Sequence, residues 1–187
     1  AHKSSYIDEG CDIGEGTKIW HFSHIMRGCK IGKHCNIGQN VVVSPDVVLG
    51  DGCKVQNNVS IYTGVVCEEG VFLGPSCVFT NVINPRAFIE RKNEYRKTTL
   101  KIGASVGANA TIVCGHDVGR YAFVGAGAVV TKDVPDYAIV YGCPAEIKGW
   151  VCRCGEQLTF TGEEAVCPVC GKRYKKKESE QTVKEVD

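Results

Sequence analysis

The stretch Ile31-Gly32-Lys33-His34-Cys35-Asn36-Ile37-Gly38-Gln39-Asn40-Val41-Val42-Val43 carries the pattern that decides the fold: an aliphatic residue at every sixth position, often followed by Gly. Read outward in both directions, the apolar series runs Ile7, Ile13, Ile19, Ile25, Ile31, Ile37, Val43, Leu49, Val55, Ile61, Cys67, Leu73 and Phe79. In a chain that is 43% hydrophobic, thirteen consecutive hits have a chance probability of about 10⁻⁵, which marks a structural repeat. The series resumes in a new phase at Leu100, Val106, Ile112, Val118, Val124 and Val130. Six residues are too few for a helix and its connection, and the apolar spacings of three and four that a helix needs are absent. One short strand and a tight bend fit each hexad, with Gly expected where the backbone turns sharply.

The fifth place of each hexad is small or β-branched, as at Cys11, Thr17, Ser23, Cys29, Cys35, Val41, Val47, Cys53 and Cys77. Near exclusion of large residues there implies a narrow interior corner. The expected architecture is a mainly β solenoid of parallel strands, in which each coil covers the core of its neighbour. The I-G-x-x-x-x pattern resembles the hexapeptide-repeat acyltransferases, and that resemblance implies a left-handed parallel β-helix of triangular section with three hexads per coil.

A length of 187 residues implies one main domain with a small appendage. The formal charge of +1 argues against a general nucleic-acid or membrane binder. No apolar run approaches the ~20 residues of a membrane span, and the first residues do not read as a signal peptide. A cytoplasmic protein is therefore expected. Of the twelve cysteines, Cys11, Cys29, Cys35, Cys53 and Cys77 share the small slot, where a buried thiol acts as a compact hydrophobe and not as a disulfide partner.

Between Phe79 and Leu100 the spacing is twenty-one, not a multiple of six, so a loop of about residues 81–99 leaves the coils. Loops of this length in compact domains are often functional. This one sets Arg86, Arg91, Lys92, Arg96 and Lys97 against Glu90 and Glu94, a net +3 in a nearly neutral chain. It reads either as a solvated charged excursion or as a clamp for an anion. With an eighteen-residue coil, His21, Gln39, Asn57 and Pro75 stack in one column, and Phe22, Asn40, Asn58 and Ser76 in the next. These columns suit an amide ladder, a ligand site, or both. His21 and His24 fall on outward or turn positions, whereas His116 falls in an inward slot and is expected to be packed.

The stretches Ile19-Trp20-His21-Phe22, Gly38-Gln39-Asn40-Val41, Gln56-Asn57-Asn58-Val59-Ser60, Asn84-Pro85-Arg86, Glu90-Arg91-Lys92 and Gly142-Cys143-Pro144-Ala145 are similar to those of bacterial enzymes that acetylate UDP-2-acetamido-3-amino-2,3-dideoxy-glucuronate. The resemblance covers about residues 5–150. It implies attack of a sugar 3-amine on acetyl-CoA, with products bound for surface polysaccharides or glycans. Asn84, and Asn81 beside it, would orient the amine, and either His24 or the departing CoA sulfur would take the proton, since an amide cannot. Arg86, Arg91 and Lys92 would meet diphosphate and carboxylate, with Gln39, Asn57 and His21 as further substrate-binding candidates. By the same analogy, CoA would lie between subunits of a homotrimer against Gly107, Ala108, Gly125, Ala126, Thr131 and Lys132, with Pro144 and Lys148 near its adenine. Acyltransfer to another nucleotide-linked amino sugar and a non-catalytic scaffold are the alternatives. The three zinc-binding histidines of the carbonic anhydrases that share this repeat are not matched, because the chain lacks a His-x4-His pair.

Cys152-Arg153-Cys154-Gly155 and Cys167-Pro168-Val169-Cys170-Gly171 are two cysteine knuckles. Their four thiolates suit a tetrahedral site, and the second knuckle resembles those of zinc ribbons and rubredoxins. Structural zinc is expected, with iron as runner-up. The expected division is a β-helix over 1–149, a four-cysteine ribbon over 150–174 and a solvated charged tail over 175–187.

Overall fold

The computed structural model describes residues 1–177 and 182–186. The backbone is a left-handed parallel β-helix. Tyr6 and Ile7 pair in parallel with His24 and Ile25, and those with Val42 and Val43. Lys30 pairs with Val48 and Lys18 with Asn36. Every partner is eighteen residues away, so three hexads make one coil. The coils stack into three faces: a seven-stranded one from Tyr6–Ile7 to Val129–Val130, a five-stranded one beginning at Asp12–Ile13, and a nine-stranded one beginning at Lys18–Ile19.

Most strands have only two residues, the first turned outward and the second inward. The inward residues are the apolar series, and from Ile19 onward that series is buried, with Ile25, Ile37, Val43, Ile61 and Leu100 fully enclosed. Ile7 and Ile13, in the first coil, are covered on one side only and stay partly exposed.

The glycines after the apolar residues serve a different purpose from the expected one. Gly38, Gly74, Gly107 and Gly125 have no positive φ. Instead the next coil passes directly over them: a Cβ on Gly107 would lie 2.5 Å from the backbone nitrogen of Ala126, and one on Gly74 would lie 2.7 Å from that of Ala108. Left-handed backbone sits two residues later, at Gly16, Phe22, Gly28, His34, Asn40, Asp46, Gly52 and Asn58, with the same six-residue period. Gly and Asn adopt it readily, while Phe22 and His34 are held there by the stacking of the coils.

The small slot is more than filler. Thr17 Oγ1 donates to the carbonyl of Gly32 (2.7 Å), Ser23 Oγ to Gly38 (2.8 Å), Cys29 Sγ to Ser44 (3.1 Å), Cys35 Sγ to Gly50 (3.2 Å) and Cys53 Sγ to Glu68 (3.1 Å). Each donor reaches the carbonyl fifteen residues on and satisfies a corner oxygen that the ladder leaves unpaired. Burial pushes the Cys29 thiol up to about 11 and the Cys77 thiol up to about 12, so both stay protonated and unreactive near neutrality.

The loop leaves after Val78–Phe79 and returns at Thr98–Leu100. Across it the register between coils becomes thirty-three residues, as in Cys67 with Leu100 and Phe79 with Ile112, so fifteen residues are inserted into one coil. The neck is closed by Arg96 N–H on Asn81 O at 3.0 Å and Thr98 N–H on Gly64 O at 3.1 Å.

At the far end the last coil shortens to sixteen residues, with Val124 opposite Val140. The chain then reverses, and Ala138–Tyr141 pairs antiparallel with Glu146–Val151, which pairs with Gln157–Leu158. The expected boundary at 149/150 therefore falls inside a strand.

The charged tail expected over 175–187 is corrected as well. Arg173–Lys177 lies between Glu164–Val166 and Thr182–Val186 in an antiparallel sheet. Tyr174, Ala165 and Val183 turn inward and are buried, while Lys175 and Lys184 project outward. Arg173, Lys175 and Lys177 share the outward face of this strand, and Tyr174 and the half-buried Lys176 share the other. Residues 178–181 and 187 lie outside the described residues. Among those described, no helix is long and apolar enough to cross a membrane, which says nothing of β-barrels.

Candidate functional site

The loop folds over the edge of the seven-stranded face and borders an open pocket of about 540 Å³. Val78 and Phe79 form its floor, Tyr62 and Tyr95 its walls, and Asn81, Arg86, Arg91 and Lys92 line it. These four are candidates from the sequence, and the fold brings them together. They are not equivalent. Arg91 is tied to Glu94 by two contacts at 2.8 and 2.9 Å, and Lys92 lies 3.4 Å from Glu90. Among the described residues Arg86 pairs with no carboxylate, and its guanidinium contacts the carbonyl of Pro85 at 3.0 Å. Arg91 Nε is buried and has no hydrogen-bond partner, a donor left for whatever fills the pocket. Asn84 is exposed on the loop and does not line the pocket.

His24 is on the same face, but three rungs from Val78 through Val42 and Ser60, about 14 Å at ~4.8 Å per rung. It does not reach the loop pocket of its own chain. Its Nε2 lies 2.8 Å from Asp8 Oδ1. Since a carboxylate only accepts, Nε2 carries a proton, and in the neutral ring Nδ1 is the acceptor. The His24 hydrogen bond, aided by the N–H of Arg27, holds the Asp8 carboxyl below its usual range. Asp8 is not legible as a partner in the sequence, because a spacing of sixteen becomes a contact only when coils stack.

His21, Gln39 and Asn57 do meet, with Trp20, Asn36 and Gln56, around a second pocket of about 220 Å³ on the opposite corner of that face. Asn57 Oδ1 accepts the Gln39 N–H at 2.9 Å, and Asn40 Nδ2 donates to Asn58 Oδ1 at 2.9 Å, so part of the column is a ladder. His21 stacks on His2 with ring centroids 3.5 Å apart. A hexad of six residues at ~3.3 Å each separates the two corners by at most about 20 Å. His116, expected in the core, is only half-buried and lies 3.6 Å from Asp133.

Gly107, Ala108, Gly125 and Ala126 continue the polar corner toward the C-terminal coils. The packing just described accounts for both glycines without any ligand. Lys132 lines a groove of about 350 Å³ with Val134, Pro135, Glu146 and Ile147. Thr131 is half-buried beside it, Pro144 is exposed after a cis peptide bond, and Lys148 is paired with Glu146 at 2.8 Å.

At the far end, the sulfur atoms of Cys152, Cys154, Cys167 and Cys170 all lie within 4.8 Å of one another. Cys152 and Cys167 are buried, and Cys154 and Cys170 are exposed.

Residues 10–45 match the model of the bacterial transferase hexapeptide (six repeats), and residues 28–63 and 102–132 match the hexapeptide repeat of succinyl-transferase. The matched coils are similar to the repeats that these two models describe. Over 81 residues the chain is 58% identical to a dTDP-3-amino-3,6-dideoxy-alpha-D-galactopyranose 3-N-acetyltransferase of Aneurinibacillus thermoaerophilus. That match takes in 43% of this chain and 42% of the relative, less than half the relative's length. Among solved structures, a hexapeptide transferase family protein of Anaplasma phagocytophilum superposes with a TM-score of 0.59 at 19% identity, covering 79% of this chain and 80% of that one. A histidine-to-alanine mutant of GDP-perosamine N-acetyl transferase from Caulobacter crescentus, in complex with CoA and GDP-perosamine, superposes with a TM-score of 0.52 at 21% identity, covering 79% and 55%. At these identities the two structures establish the hexapeptide-repeat fold and no more.

Proposed function

We propose that the chain transfers the acetyl group of acetyl-CoA to the 3-amine of a nucleotide-linked amino sugar held in the loop pocket. The observation that carries this reading is the pocket itself, which presents a guanidinium without a carboxylate at Arg86 and an unpartnered donor at Arg91 Nε. Both suit a diphosphate or a carboxylate. The stretch shared with the Aneurinibacillus relative supports a 3-amino sugar.

Among such sugars, UDP-2-acetamido-3-amino-2,3-dideoxy-glucuronate is the first choice, on the resemblance of Asn84-Pro85-Arg86 and Glu90-Arg91-Lys92 to the enzymes that acetylate it. A dTDP-linked 3-amino-3,6-dideoxyhexose is the second, favoured by the relative's substrate. The neutral amine attacks the thioester carbonyl, the new C–N bond forms, the C–S bond breaks, and the amine's proton passes to the departing sulfur to give CoA–SH. Neutrality of the amine requires little from the protein, since an amine with pKa near ~8 is partly deprotonated at neutral pH. Orientation contributes most, and Asn81, which lines the pocket, is placed for it.

The polar corner and the groove at Lys132 are the reading for acetyl-CoA. The polar corner lies across a face from the loop, while the groove at Lys132 follows Val130 as the loop follows Phe79, at the loop's own corner two coils on. A homotrimer that sets the polar corner of one copy against the loop of the next would complete the site. His24 would enter the chemistry only through such a neighbour. A cytoplasmic location fits a reaction that uses CoA and a nucleotide sugar.

The test is a panel of nucleotide-linked amino sugars assayed by thiol release, with light scattering for the trimer. Arg86→Ala is expected to raise KM for the sugar by the equivalent of about 1.5–3 kcal/mol, with KM for acetyl-CoA unchanged. Asn81→Ala is expected to lower kcat more than Asn84→Ala does. Turnover of 4-amino sugars alone, or an active monomer, would defeat the proposal.

A further inference from the structure

Neither the hexapeptide repeats nor the proposed acyl transfer accounts for the four-cysteine end of the chain. The structure holds there a set of contacts that sorts donors from acceptors. The N–H of Arg153 donates to the hydroxyl of Tyr174 at 3.1 Å. That hydroxyl has one proton to give, and its other neighbour is Cys152 Sγ, also at 3.1 Å. A backbone N–H can only donate, so the phenol oxygen accepts it and the Tyr174 proton is free for the sulfur, an arrangement that satisfies every group when Cys152 accepts. An acceptor sulfur enclosed with three other sulfurs is what a metal thiolate requires.

The spacing agrees. Cys152 and Cys170 are 3.3 Å apart and Cys154 and Cys167 are 3.6 Å apart, close to the ~3.8 Å edge of a tetrahedron with metal–sulfur bonds of about 2.3 Å. Each knuckle turns through a glycine at positive φ, Gly155 at 97° and Gly171 at 72°. The Gly155 N–H bonds to Cys152 O and the Gly171 N–H to Cys167 O, so backbone hydrogen bonds hold the turns that aim the sulfurs.

Tyr174 also faces the solenoid. Its ring packs edge-on against Tyr137 of the last coil at 5.3 Å, Tyr137 stacks on Tyr121 at 5.5 Å, and the Arg153 guanidinium lies 5.4 Å over Tyr121. Cys152 itself follows directly on the strand Glu146–Val151, whose first two residues line the groove at Lys132.

We infer that Cys152, Cys154, Cys167 and Cys170 bind one zinc ion, and that this zinc, through Tyr174 and the strand Glu146–Val151, fixes the last coil and the wall of its groove. Four cysteines fill a tetrahedral shell and leave no place for substrate, so the ion acts by holding the chain. Zinc suits this role because it brings no redox chemistry to a shell of which two thiolates are exposed.

Metal analysis and cobalt(II) substitution of the whole chain, purified under reducing conditions, test the site. One zinc per chain and thiolate-to-cobalt charge-transfer absorption are expected. Four titratable thiols without metal, two disulfides, or iron in place of zinc would each overturn the assignment. Coupling is read by hydrogen exchange, which does not depend on the acyl-transfer reading. The Cys167→Ser/Cys170→Ser variant is expected to lose zinc and the protection of residues 138–151, while the coils from Ile19 to Phe79 keep theirs. Loss confined to residues beyond 152 would overturn the coupling. Tyr174→Phe keeps the ring on Tyr137 and removes the hydroxyl, and is expected to weaken zinc about tenfold. An unchanged zinc affinity would overturn the role given to Tyr174.

Discussion

Ile61 and Ile89 are the same residue in two regions of the molecule. Ile61 lies in a coil, with the strands of Val42–Val43 and Val78–Phe79 on either side, and is 0% exposed. Ile89 lies in the loop, across a single bridge from Arg86, and is 43% exposed. In the coil, a side chain's surroundings follow from its place in the hexad, because the residues eighteen before and after it stand above and below. In the loop nothing repeats, and each contact is made once. The coils therefore carry stability, and the loop is free to carry a site.

That contrast is broken most directly by truncating both. Ile61→Ala is expected to cost about 2–5 kcal/mol, the range for a large aliphatic residue removed from a closed core, whereas Ile89→Ala should stay within about 0.5 kcal/mol. Denaturant unfolding of the two variants decides it. Equal losses would mean that the loop is packed as a coil is.

A somewhat smaller effect is expected at Ser23. Its hydroxyl donates to Gly38 O at 2.8 Å and accepts the Val41 N–H at 3.1 Å in a fully buried corner. Ser23→Ala leaves both backbone groups unpaired, at about 1–3 kcal/mol. Ser23→Cys restores a donor of the kind that Cys29 and Cys35 already supply and should recover most of the loss. If Ala and Cys behave alike, the slot selects for size alone and its hydrogen bonds contribute little.

The same division governs what can be read from the sequence. The buried series follows from one period, because in a stack the register repeats the sequence, whereas the eighteen-residue coil and its three faces rest on the resemblance and not on the period. The role of Gly107 follows from neither: a glycine demanded by positive φ and one demanded by an overlying backbone are the same letter, and only the stacked coil separates them. The left-handed position is hidden in the sequence because Phe22, His34 and Asp46 occupy it alongside Gly and Asn. In the loop, charge points to a pocket for anions, but it cannot rank Arg86 above Arg91 and Lys92, since that depends on where Glu90 and Glu94 turn. Asn84 next to Pro85 reads as central, yet it is Asn81 that lines the pocket. At the C-terminus the lysine run conceals a strand, because the alternation that reveals it rests on Tyr174 and Val183, two residues in two different strands.

The smallest stability effect is expected at the loop's most exposed apolar residue. Phe88 is 83% exposed, so in a single chain its ring contributes little, and Phe88→Ser should change unfolding stability by no more than about 0.5 kcal/mol. The loop nevertheless exposes Ile83 and Ile89 as well as Phe88, three apolar side chains on one charged segment. If the homotrimer proposed above places the loop against the corner of a second copy, the cost of Phe88→Ser should appear in assembly. Light scattering across a dilution series would then show dissociation at higher protein concentration than for the unaltered chain, with the coils equally resistant to denaturant at concentrations where both remain assembled. An unchanged dissociation midpoint would remove Phe88 from the contact and leave the loop tip to the substrate alone. A drop in the stability of the isolated chain would show instead that the loop is part of the core, and the division between coil and loop would have to be redrawn.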